Sequence, residues 1–144
     1  MRASAAAKQP IMRISHEQME RFREAAAERH CEEVRRFLDK HYPATIAKLS
    51  RDVTLERIRW GLRRIRGVGV TDGRVAALFV VTQFVAGPNF YLHPACAALF
   101  ADQRLPPDTR VNSLFHADSA IPWDEIMAER DDSAWPVGDI GGFV

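Results

Sequence analysis

The sequence predicts an all-α fold, a single-domain orthogonal helical bundle of about five to seven helices around one central apolar helix. Three observations carry this. Apolar residues recur at steps of three and four along two long stretches, no segment alternates as a half-buried strand does, and Thr71–Phe90 is apolar on nearly every side. About 12 apolar positions in that last stretch fall short of the ~20 that span a bilayer, so it reads as the centre of a soluble bundle. With 144 residues the chain has the length of one domain.

Residues 1–13 read as a flexible lead-in, too short of apolar length for a signal peptide. The bundle domain is expected over residues 14–130, and an acidic, aromatic tail over 131–144. Its first helix starts at Ser15, whose spacing to Gln18 is that of a capping box, with Ile14 facing Met19 as a staple. Met19, Phe22, Ala26, His30, Val34, Phe37 and His41 then define the expected apolar stripe, and Tyr42-Pro43 ends the helix. Glu17/Arg21 and Glu32/Arg36 have the order that supports a solvated face. A second amphipathic helix spans about Arg51 to Arg66 on Leu55, Ile58, Leu62 and Ile65, with Gly67 as its cap.

The central helix is expected to start on Thr71 as N-cap and stop at Gly87-Pro88. Val75, Leu78, Phe79, Thr82 and Val85 form one stripe, Ala77, Val80, Val81 and Phe84 fill most of the rest, and only Gln83 interrupts. Shorter helices are expected over Pro94–Asp102, from Asp108 or Thr109 through Phe115, and over Pro122–Arg130.

Net charge is +1, which argues for neither nucleic acid nor an acidic substrate. The charge is nonetheless segregated. From Lys48 to Arg74 eight basic residues face three acidic ones, and from His116 onward seven acids face one arginine. Cys31 and Cys96 have no close-spaced partner and read as small core residues of a protein in a reducing compartment.

Each short chemical motif fails a spacing test. His16-Glu17-x-x-Glu20 lacks the second histidine of a zinc-protease helix, and adjacent His30 and Cys31 point about 100° apart on a helix, with His30 expected in the core. The glycines at 67, 69 and 73 follow a helix rather than a strand, so they read as a stop and a turn. A Cys–His pair built in space from Cys31 or Cys96 with His93 has no positive support. No catalytic residue, metal ligand or cofactor site is therefore assigned. In RIRWGLRRIR, Arg59, Arg63 and Arg66 share one face opposite the apolar seam, and an acidic protein surface suits them better than nucleic acid.

Several pieces stand in a recognisable order: Ile14–Gln18, Tyr42-Pro43, the basic helix Ile58–Arg66, Val68-Gly69-Val70-Thr71, Phe84–Phe90 (FVAGPNF) and His93-Pro94. In this order they resemble a family of small, uncharacterised all-α bacterial proteins encoded beside type VI secretion effectors and the chaperones that load them. The match covers roughly Ile14 to Phe115. It departs from the family at Val68, where an aromatic is usual, and at Tyr91, where an acid is usual. The resemblance implies a cytoplasmic adaptor or co-chaperone that binds a secretion effector, its chaperone or a toxin domain, with no catalytic residues to carry over. An immunity protein that neutralises a neighbouring toxin is the alternative, and a small enzyme without a recognisable motif is a third. Partner contact is expected from Arg59, Arg63 and Arg66 and from Trp123, Trp135 and Phe143 in the acidic terminus, with Trp135 anchoring on its own arginine helix or on a basic groove of the partner.

Overall fold

Gly61 sits midway along the arginine-rich helix, and a side chain there would run into Val80 at 2.9 Å and into the Gln83 carboxamide. That absence of a Cβ makes room for the Val80 and Gln83 side chains of the neighbouring central helix. The computed structural model describes residues 15–136. Among them there are seven α-helices and no strand: α1 (His16–His41), α2 (Pro43–Ile46), α3 (Arg51–Val68), α4 (Gly73–Ala86), α5 (Pro94–Phe100), α6 (Pro107–Ser113) and α7 (Trp123–Ala128), with three 3-10 turns. No helix of the described residues is long and apolar enough to cross a membrane.

Two compact units divide within α1, between His30 and Cys31. In the first, Ser15 and Gln18 cap each other reciprocally at 3.0 and 3.1 Å, and none of residues 15–30 is buried. The second holds the core. There α4 packs against α2, α3, α6 and α7 as the central helix, burying Ala76, Phe79, Val80, Val81, Gln83, Phe84 and Ala86. Phe79 alone meets the rings of Phe90, Tyr91 and Phe100 at 5.3, 5.5 and 6.1 Å. Burying one such side chain is worth about 1.5–3 kcal/mol.

Five sequence expectations change. In α1 the buried positions are Cys31, Val34 and Leu38, whereas Met19, Phe22 and Phe37 are exposed; the core takes a row offset from the expected stripe, and His30 is half-buried. Glu32 binds Arg35 and Arg51 instead of Arg36, because three-residue spacing and a neighbouring helix bring those guanidinia closer. Helix α3 runs two residues further, ending on Gly69 in the left-handed region at φ 113°, where glycine has no Cβ penalty. Asp72 rather than Thr71 caps α4, accepting from the amides of Arg74 and Val75, since Thr71 is held instead by Asp108 through its amide and hydroxyl, both at 2.9 Å. Leu78 is exposed while Gln83 is fully buried, its Nε2 donating to the Pro88 carbonyl at 3.2 Å.

Ile14, the expected staple, lies outside the described residues, as do residues 1–13 and Phe143. The described part of the expected tail, 131–136, contains a 3-10 turn over Asp132–Ala134 and a buried Trp135.

Candidate functional site

Helix α3 carries its arginines on two faces. Arg59 donates to Glu56 at 2.9 Å and Arg63 reaches the same carboxylate at 3.8 Å, so Glu56 neutralises part of the face expected to meet a partner. Arg66 is exposed. The other face, which periodicity did not single out, stacks on aromatic rings: Arg57 lies 5.0 Å from the Trp135 ring, and Arg64 lies 5.6 Å from Trp60 and 5.3 Å from Tyr91. Burial lowers the Arg57 pKa from its ordinary value.

Trp135 sits among Arg57, Trp60 at 5.8 Å and Phe84 at 4.9 Å, and is 3% exposed. Its ring is used inside the protein. Neighbouring residues tie the same stretch to the end of α4: Arg130 donates to the Val85 carbonyl at 3.0 Å, a last-turn oxygen without a helical donor, and the Asp131 amide donates to Asn89 at 3.2 Å. Trp123 is half-buried, stacked on Phe115 at 5.9 Å and beside Phe90 at 6.0 Å. The structure thus brings Trp135 to the arginine helix, on Arg57 rather than on Arg59, Arg63 and Arg66, and places Trp123 in a separate aromatic cluster.

His93, at the start of α5, and Glu125 and Glu129, on and just after α7, were not brought together by the sequence, and their ligand atoms lie within 4.8 Å of one another. Metal spacing alone does not make this a metal centre. His93 caps α5: its Nδ1 accepts from the Ala95 amide at 3.1 Å, so in the neutral ring the proton sits on Nε2, which donates to Glu125 at 2.6 Å. A histidine that binds metal through Nε2 needs its proton on Nδ1, donated to an outer acceptor. The His93–Glu125 contact ties the start of α5 to α7 instead.

Of the cysteine–histidine pairings, the one through Cys96 is opposed by its chemistry. Cys96 is fully buried and its thiol is pushed up to about 11 by desolvation, the opposite of an activated nucleophile. A groove of about 510 Å³ lies between the start of α4 and α6, floored by Val75 and Leu78 and edged by Arg74, Asn112 and His116. Its two carboxylates already serve the fold. Asp72 caps α4, and Asp108 accepts from Thr71 and from the Asp72 amide, bonds that hold its carboxyl below the ordinary value, the Asp72 amide contributing most.

Another surface with functional character among the described residues is the first half of α1. Met19 is 37% and Phe22 61% exposed, and with Ala26 they step by three and four along one face. Glu17, Glu20, Glu24 and Glu28 step by three, four and four along the opposite one. The positions that continue the Cys31/Val34/Leu38 row backward are Ala27, Glu24 and Glu20, which explains why burial stops at Cys31. Such a helix offers apolar area and no chemistry. Compared with family models, curated proteins and solved structures, the chain matches none.

Proposed function

We propose that this chain is a protein-binding accessory, an adaptor or co-chaperone, of a bacterial type VI secretion effector module, acting in the cytoplasm of the producing cell. One structural observation supports a contact function: the capped first half of α1 leaves Met19 and Phe22 exposed, and none of residues 15–30 is buried. An amphipathic helix with an exposed apolar row suits helix-in-groove recognition. The ordered motifs from Ile14 to Pro94 support the secretion context.

Co-purification of the tagged chain with its neighbouring gene products, wild type against Phe22→Glu, tests this reading. A stoichiometric protein partner retained by the wild type and lost by the variant is expected, with the variant's helical spectrum and melting unchanged. A partner held equally by both would remove α1 from the role. If the partner is a toxin whose activity the complex abolishes, the immunity reading replaces the adaptor one.

A further inference from the structure

We infer that the His16–His30 half of α1 docks in a groove of another protein that has an apolar floor and an acidic rim; this rests on the protein-binding reading above. The floor follows from Met19, Phe22 and Ala26, one row of apolar side chains of which Phe22 is the largest and most exposed. The rim follows from charge. Arg23 stands four residues after Met19, and Arg29 stands three after Ala26 and seven after Phe22, so both border the apolar row. Arg23 is shared with Glu20, and Arg29 makes no ion pair among the described residues. Glu17, Glu20, Glu24 and Glu28 occupy the opposite face with Arg21 as the one cation beside them, so an acidic surface is favoured on the Phe22 side, which biases the helix's rotation in the groove.

The same charges disfavour the other occupants. In a second copy packed face to face, the arginine borders would meet arginine borders, and a two-helix contact this short buries far less than the ~800 Å² per partner of a stable interface. A membrane surface selects helices rich in lysine and arginine on the polar face, where this one has four glutamates to one arginine, Arg21.

The test places a photocrosslinking side chain in the full-length protein, Phe22→p-benzoylphenylalanine or, as control, Glu24→p-benzoylphenylalanine, irradiated in cells of the organism that encodes it. The expected result is an adduct with a different protein at position 22 and none at 24. The crosslinked partner peptide should carry Asp or Glu beside apolar residues, and adding Arg23→Glu and Arg29→Glu should cut the yield at position 22 about tenfold, with helicity unchanged by circular dichroism. An adduct with a second copy, with lipid alone, or with a neutral or basic segment of another protein would overturn the inference; only the last of these leaves the protein-binding reading standing. No adduct at position 22 would overturn both.

Discussion

Helix α4 and the His16–His30 half of α1 are close in length, and each begins on side-chain caps, Asp72 for one and the Ser15–Gln18 pair for the other. In α4 seven residues are buried, while in residues 15–30 none is. A cap contributes about 1 kcal/mol and fixes where a helix starts. What the flank of that helix meets is decided elsewhere, by whether its apolar row falls in register with a core. Here α4 has apolar side chains on nearly every side and buries most of its circumference, whereas the first half of α1 turns glutamates along the row that Cys31, Val34 and Leu38 use.

The contrast breaks first at Phe79. Phe79→Asp should abolish soluble expression, because an unpaired buried carboxylate costs several kcal/mol against a total stability of about 5–15; its neighbour Leu78→Asp, exposed on the same helix, should express and melt close to wild type. If both variants behaved alike, α4 would have no preferred face. Trp135→Ala should lower unfolding free energy by about 3 kcal/mol in urea titration, and a chain ending at Arg130 should lose at least as much. A loss near zero would put the 131–136 stretch in the same class as the first half of α1.

Gly61→Ala sharpens the comparison from the partner's side. Alanine is the better helix former by about 0.8–1.0 kcal/mol, yet its Cβ meets Val80 and Gln83, and overpacking of about 1–3 kcal/mol should win. A raised melting temperature would refute the close approach of α3 and α4. At Asp108 the expected effect is smaller and depends on pH. Its carboxyl titrates below the ordinary value in the fold, so its contribution is complete above the unfolded carboxyl range and is lost as pH falls through the lower folded value. Asp108→Asn should therefore flatten the acid limb of a stability–pH curve and leave its alkaline limb unmoved. Smallest of all is Phe22→Ala, expected within about 0.5 kcal/mol of wild type because the ring is exposed.

Most of the helices were legible in the sequence, because caps, prolines and apolar spacing are local. The faces were less so. In α1 the expected stripe shared buried Val34 with the core row and Cys31 was expected inside, but the stripe continued through exposed Phe37 where the core takes Leu38. In α4 the apolar residues surround the axis, so no periodicity could tell exposed Leu78 from buried Phe79, or show that Gln83 faces a glycine. The engaged arginines were missed for a related reason. Whether Arg57 or Arg59 is used depends on where Trp135 lands, a contact between residues far apart in the chain.

That late tryptophan has a consequence for synthesis. Trp60 and Phe84 are translated well before the residue that covers them, so on the ribosome the nascent bundle presents an uncovered aromatic surface until Trp135 emerges. Contacts this distant in sequence close slowly, and partly folded chains with exposed apolar surface are prone to aggregate. Docking of Trp135 completes this aromatic cluster, and a product cut before residue 135 would leave Trp60 and Phe84 without that cover.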